Sequence, residues 1–360
     1  MQFIRKINRD HKPPFDVVVK LILRTIHLLQ RRLHMNKLRW GLLSTARINR
    51  VLLPPLRASA RNELTAVASR DLERAQAYAN ERSIPRVFGS YEAMLADPDV
   101  DVIYNPLPNS MHTEWTIKAA QAGKHVLCEK PLAITVEEVD AITEAAKKAG
   151  VVVMEAFMYR HHPQTFKVKE MVESGVIGKL QLIRGSFTFN ISDENDVRLN
   201  SSLGGGSIWD VGCYPISYAR LIAGAEPVEV FGWQKTGTGS GVDESFFGQL
   251  HFSNDVYAQF DCGFRTPQRT HIELVGDKGN IVVKKPFIAW LNEEIIVTNG
   301  AEKRVITTPG QDLYLGEVEN MADAILDGKA TRMSLADSRN NVATIKALLR
   351  SAQEGKPVKM

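Results

Sequence analysis

The chain has 360 residues, of which 44% are hydrophobic, so it can bury more apolar surface than one core usually holds and two domains are expected. Its formal net charge of +4 is unevenly placed. Residues 1–34 carry Arg5, Lys6, Arg9, Lys12, Lys20, Arg24, Arg31 and Arg32 against Asp10 and Asp16, which leaves the remainder slightly acidic and argues against a nucleic-acid groove.

The apolar stretch "VVVKLILRTIHLL" is broken by Lys20 and Arg24, is too short to span a bilayer and lacks a small-residue cleavage site, so no stable membrane insertion is expected. Residues 1–34 read as a basic N-terminal extension or mobile arm, because "MNKLRWG" places Met35 directly before the first strand. The other reading is an amphipathic helix resting on a partner or a membrane surface. Cys128, Cys213 and Cys262 lie far apart with no CxxC spacing, so neither a disulfide framework nor a metal site is expected, and a cytoplasmic setting fits.

From Leu38 short apolar runs alternate with helical stretches: "LRWGLLS", a helix over 47–60, "LTAVAS", "LERAQAYANERS", "VFGS", "YEAMLAD", "VDVIYNP", "HTEWTIKAAQAG", "HVLCEK" and "TVEEVDAITEAAKKAG". Strands that alternate with helices imply parallel βαβ units, so residues 35–157 are expected to form a Rossmann domain. Its last helix should start with a capping box of Thr135 and Glu138 and end at Gly150. From Lys179 the pattern becomes β-rich, in "KLQLIRGSFTF", "VEVFGWQ", "FFGQLHF", "YAQFDCGF", "THIELVG", "NIVVKK" and "EIIVT", with helices near 164–174, 211–223, 316–328 and 334–353. Residues 158–360 should therefore form an α+β domain around a large, mostly antiparallel open sheet. The sheet's second face invites a second copy, so a homodimer or homotetramer is expected.

"GLLSTA" offers one glycine where dinucleotide turns usually have three. Gly41 is read as the tight-turn glycine, and Ser44 and Ala46 as small substitutes. Thr45, Arg47 and Ile48 lead into a helix whose N-terminal N–H groups can face a pyrophosphate. The next strand ends in "VASRD", where an acidic residue would read a free ribose 2′-hydroxyl. Ser69 and Arg70 stand there instead, which suits a 2′-phosphate and favours NADP, with Asp71 reading the ribose of NAD as the alternative.

The following strands run into "NPLPNSMH" and "CEKPLA", so Pro106, Leu107, Asn109, His112, Glu129 and Lys130 are expected around the cofactor, beyond the strands' carboxyl ends. In "LGGGSIWDVGCYP", Asp210 and Tyr214 are four residues apart, one helical turn. "MYRHHPQ" adds Arg160 and His161 to the candidate substrate contacts, and Arg198 is another.

At these motifs the chain resembles the Gfo/Idh/MocA oxidoreductases. The resemblance runs from about residue 37 to 355, on "WGLLSTARI", "PNSMHTEWTIKAAQAGKHVLCEKPLA", "EAFMYRHHPQ" and "GGGSIWDVGCYPISYARLIAG". It implies that Lys130 contacts the reacting hydroxyl and the nicotinamide ribose, that the Lys130–Pro131 bond is cis, that Tyr214 accepts the proton and that Asp210 orients the substrate. A neighbouring ammonium together with the positive nicotinamide ring would favour the Tyr214 phenolate, and Glu129 is expected to orient Lys130.

His161 departs from the phenylalanine familiar at its position, which weakens transfer of a relative's substrate. The branch implied is NADP-dependent oxidation of the C1 hydroxyl of an aldose such as D-xylose or D-glucose to a lactone. A trans-dihydrodiol, an anhydrosugar or keto-sugar, a glucose-fructose oxidoreductase-type cycle with retained NADP, and a non-catalytic NADP-binding protein are the alternatives.

Overall fold

The alternation of apolar runs and amphipathic helices is realised as two sheets in a computed structural model, which describes residues 37–360. The basic extension at 1–34 lies outside the described residues. Six strands form the first sheet: β1 (Leu38–Leu43), β2 (Asn62–Ala68), β3 (Arg86–Phe88), β4 (Val102–Asn105), β5 (His125–Glu129) and β6 (Val153–Ala156). All their pairings are parallel, in the order β3-β2-β1-β4-β5-β6, the doubly wound arrangement of dinucleotide-binding domains. Leu38, Trp40, Leu42, Val102, Val126 and Met154 are fully or almost fully buried, as strands covered on both faces require.

The intervening helices are α1 (Asn49–Ala58), α2 (Leu72–Arg82), α3 (Tyr91–Leu95), α4 (Asn109–Gln121) and α5 (Val136–Ala149). The expected capping box of Thr135 and Glu138 is present at α5, and Gly150 ends it with φ 67°. After α6 (Pro163–Glu173) come β7 (Leu180–Asn190), α7 (Cys213–Ala223), β8 (Pro227–Thr236), β9 (Asp243–Phe252), β10 (Tyr257–Gly263), β11 (Arg265–Gly276), β12 (Gly279–Val283), β13 (Glu293–Asn299) and β14 (Glu302–Thr308). The chain closes with α8 (Leu315–Leu326), α9 (Leu335–Glu354) and β15 (Val358–Lys359).

The second sheet has nine strands, β14-β13-β12-β11-β7-β10-β9-β8-β15, antiparallel except where β10 runs parallel to β7. Helices cover one face of it. The last two helices also return to the first sheet: α8 packs on α1 and β2, and Arg61 reaches Asp323 at 2.7 Å and Asp327 at 2.8 Å. α9 spans from α5 and β6 to β8. The carboxyl ends of β4 and β5 thereby face the start of α7. Among the described residues, no helix is long and apolar enough to cross a membrane.

Candidate active site

The turn after β1 depends on Ser44, which adopts φ 76°, a left-handed conformation normally left to glycine. Its N–H donates to the Ala68 carbonyl at 2.9 Å, and its own carbonyl accepts from the Asn49 side-chain amide at 2.9 Å. Asn49 is fully buried, so a single amide locks the turn from behind. No side chain caps α1 at Ile48 and no acid stands in its first turn, which leaves the helix end with Thr45, Ala46 and Arg47 suited to an anion. Gly41 has a different role from the one expected. It lies inside β1, where a Cβ would come within 2.8 Å of Met94 Sδ, so it permits α3 to pack on the strand and does not form the turn.

Beyond β2, Ser69 is buried and its hydroxyl accepts from the Asp71 N–H at 3.2 Å. The Asp71 carboxylate accepts from Arg74 N at 3.0 Å and caps α2, so the acid that could read a free ribose is engaged by its own helix. Arg70 is exposed beside the Tyr91 hydroxyl, and among the described residues no carboxylate forms an ion pair with it. A hydroxyl and an unneutralised guanidinium at this strand end fit a phosphate monoester better than a diol.

At the ends of β4 and β5 the side chains fasten loops to each other. Pro106 and Leu107 are buried, and the Asn109 amide donates to the Gly204 carbonyl at 2.8 Å, joining α4 to the glycine loop of the second domain. His112 is 1% exposed, with ring nitrogens 2.7 Å from the carbonyls of Pro131 and Leu107. Burial lowers its pKa while the two carbonyls pull it up, and with both ring nitrogens against loop carbonyls none is free for the cofactor expected there. Glu129 accepts from the Tyr104 hydroxyl, and its carboxylate also faces Lys130, whose ammonium and backbone N–H offset part of the cost of burying it. The Lys130–Pro131 bond is cis, as the resemblance implied.

Lys130 is held from the other domain. Its Nζ donates to Asp210 Oδ1 at 2.9 Å and to the Asp210 carbonyl at 2.8 Å. The second carboxylate oxygen of Asp210 accepts from Arg198 Nε at 2.8 Å, so the acid bridges two cations. Burial alone would raise the pKa of Asp210, but Lys130 and Arg198 overcome it and hold it below the usual carboxylate value. Burial likewise opposes charge on Lys130, and Asp210 reverses that, so the lysine stays an ammonium.

Asp210 sits in a π-helical turn, Ile208–Gly212, that precedes α7, in place of the plain helical turn expected. The turn starts at Asp243 on β9, whose Oδ2 accepts from Ser207 Oγ and Ile208 N, each at 2.7 Å. Tyr214 follows in α7, with Lys130 Nζ 5.2 Å from its ring centroid and its hydroxyl 3.6 Å from Met158 Sδ. The ammonium thus lies over the ring face, and burial pushes the Tyr214 pKa well up. The expected help to the phenolate would therefore have to come from the ammonium and the nicotinamide ring acting together.

Two expected substrate contacts are withdrawn from the pocket. Arg160 donates to Ser217 at 3.0 Å and pairs with Asp337 at 3.1 Å in a buried network. His161 is 1% exposed, with its backbone packed under Gly316 and its pKa lowered to about 3, chiefly by burial. Asn49, Asp243 and Tyr104 are polar positions that sequence reasoning missed, as is Glu317, fully buried with both oxygens unpartnered and held protonated by burial. None of them belongs to a local motif, and the partners of Asn49, Asp243 and Tyr104 lie outside their own elements, so nothing in the sequence sets them apart.

The chain matches two family models: the Gfo/Idh/MocA oxidoreductase family with an NAD-binding Rossmann fold over residues 38–157, and the Gfo/Idh/MocA C-terminal domain over residues 165–282. It is 37% identical to D-xylose 1-dehydrogenase (NADP(+)) 2 of Haloferax volcanii, across 89% of this chain and 99% of that protein. It is 32% identical to the trans-1,2-dihydrobenzene-1,2-diol dehydrogenase of Xenopus laevis, across 85% and 95%. A 3-ketoreductase from Actinomadura kijaniata, crystallised with NADP and TDP-benzene, superposes with a TM-score of 0.84 at 30% identity, covering 88% of this chain and 98% of that one. Variants of that enzyme replace a lysine and a tyrosine that stand 84 positions apart, the separation of Lys130 from Tyr214.

Proposed function

This chain belongs to the Gfo/Idh/MocA oxidoreductase family, and from that premise we propose that it is an NADP-dependent dehydrogenase that oxidises the C1 hydroxyl of a cyclic aldose, such as D-xylose or D-glucose, to a lactone. It is an NAD(P)-binding oxidoreductase with relatives that act on sugars and diols. The observation that carries the finer reading is the convergence of Lys130, Asp210 and Tyr214 at the carboxyl end of β5, with Nζ 2.9 Å from the acid and 5.2 Å from the ring.

Ser44, Thr45, Ala46 and the start of α1 would hold the pyrophosphate, and Ser69 with Arg70 the 2′-phosphate. NADP, when bound, supplies the hydride acceptor. The chain's own residues do the rest. Lys130, kept charged by Asp210, donates to the substrate oxygen and stabilises negative charge as the hydroxyl loses its proton. Tyr214 accepts that proton. It can do so only as the phenolate, which burial disfavours, so the positive nicotinamide ring of bound NADP would have to favour that form. Asp210 keeps Lys130 aimed, and Arg198 holds the other oxygen of that carboxylate from its half-exposed side.

A second reading is oxidation of a trans-diol or reduction of a deoxygenated keto-sugar. What favours it is the apolar setting of Tyr214, whose ring meets Phe157, Phe187 and Phe287 at 5.2–5.5 Å and whose hydroxyl faces a thioether. The test is NADP reduction at 340 nm across aldoses and trans-diols, with NADPH oxidation across keto-sugars. Turnover of D-xylose or D-glucose with a lactone product supports the proposal. Turnover confined to diols or keto-sugars replaces it with the second reading.

A further inference from the structure

We propose that Glu155 is a positioning residue: it fixes the backbone that carries Lys130 and ties it, through the first turn of α9, to the helix that carries Tyr214. Every residue of β6 is buried, yet one of them is this carboxylate, 1% exposed. A buried carboxylate costs free energy unless something requires it, and packing alone would be better served by an apolar side chain.

The requirement is visible in the hydrogen bonds. Glu155 Oε1 accepts from Leu132 N at 2.9 Å, two residues after Lys130, and Oε2 has no hydrogen-bond partner among the described residues. Without this acceptor the Leu132 N–H would be buried and unmatched. The groups around Glu155 come from four elements. Arg160 follows β6 itself, Asp337 and Ser338 lie in the first turn of α9, and the thiols of Cys128 on β5 and Cys213 on α7 are near. Asp337 then pairs with Arg160 at 3.1 Å and with Arg220 of α7 at 2.9 Å, while Arg160 donates to Ser217 of α7. One cluster thus joins the Lys130 segment to the helix of Tyr214.

Burial pushes Glu155 up to about 7, against the pull of Ser338, the Leu132 N–H and Arg160, so its charge changes within the neutral range. The ionised form is the stronger acceptor for Leu132 N, so the Lys130 backbone is held more firmly as pH rises through 7. The inference rests on the placing of Lys130 beside the cofactor, and its test reads NADPH binding, which needs no turnover of a sugar.

NADPH dissociation constants are measured by fluorescence from pH 5.5 to 8.5 for the full-length wild type, Glu155→Gln and Glu155→Ala. The isosteric Gln variant keeps an acceptor for Leu132 N but cannot ionise, and titration of NADPH's own phosphate cancels between the two proteins. Between pH 6 and 8 the wild type should gain about fivefold more affinity than the Gln variant, the part of a one-unit pKa coupling that falls within this window. The Ala variant should bind NADPH about tenfold more weakly than the Gln variant at every pH. Parallel wild-type and Gln curves, or an Ala variant within twofold of Gln, would overturn the proposal. Absence of sugar oxidation alongside the expected binding curves would overturn only the substrate assignment.

Discussion

At the scale of residues, the choice between NADP and NAD comes down to Ser69, Arg70 and Asp71. Asp71 is occupied as the cap of α2, and Arg70 has no carboxylate partner among the described residues. Arg70→Ala should lower kcat/KM for NADP by about 10–100-fold, the worth of a charge-assisted phosphate contact, and change that for NAD by less than about threefold. Equal losses with both cofactors would mean that Arg70 supports the fold only. This pair was legible in the sequence because strand-end position follows from the βαβ rhythm. Arg160 and His161 were not, because what buries them comes from far along the chain: Asp337 for the one and Gly316 for the other. Gly41 failed for a related reason. A glycine near a strand end signals a turn or a close approach equally well, and only the position of Met94 decides.

At the scale of elements, the start of α7 is held by the Asp243 carboxylate reaching across from β9. Burial raises Asp243 to about 6 in the folded protein, against an ordinary value of 3.8. The folded state therefore binds more protons than the unfolded chain between about pH 4 and 6, so this acid lowers stability as pH rises through that window, with the full cost present above it. Asp243→Asn keeps an oxygen for Ser207 and Ile208 and removes the titration. Its stability relative to wild type, from denaturant unfolding, should improve by about 1–3 kcal/mol between pH 4 and 7. A constant difference across those pH values would contradict the shifted titration. The anchor of the "LGGGS" loop lies 36 residues beyond Ser207, where no local pattern marks it. The π turn under Asp210 was equally hidden, since a four-residue spacing reads as an ordinary helical turn.

At the scale of the whole molecule, the nine-stranded sheet leaves an aromatic patch on its open face. Trp233, Phe247 and Tyr257 on β8, β9 and β10 are 56%, 49% and 52% exposed, with Trp233 directly opposite Phe247 in the register. Such a face fits a second copy of the chain. Light scattering should give a multiple of the 40.2 kDa chain mass, and Trp233→Asp combined with Phe247→Asp should give the single-chain mass. A monomeric wild type would mean that the face is not an interface. The parallel βαβ sheet and the mostly antiparallel second sheet were readable from periodicity. The return of α8 and α9 onto the first sheet was not, because helix periodicity says which face is apolar and nothing about which sheet receives it.

The account centres on Lys130 and Tyr214 acting on one carbon, with Asp210 aiming the lysine across the domain boundary. The most direct test is steady-state kinetics of Tyr214→Phe and Lys130→Met on the substrate that the screen identifies, beside NADPH binding by fluorescence. Each variant should lose at least about 100-fold in kcat, the usual worth of a positioned proton acceptor or charge stabiliser, while Tyr214→Phe binds NADPH within about tenfold of wild type and Lys130→Met still binds it measurably. A Tyr214→Phe enzyme that keeps wild-type kcat would contradict the assignment.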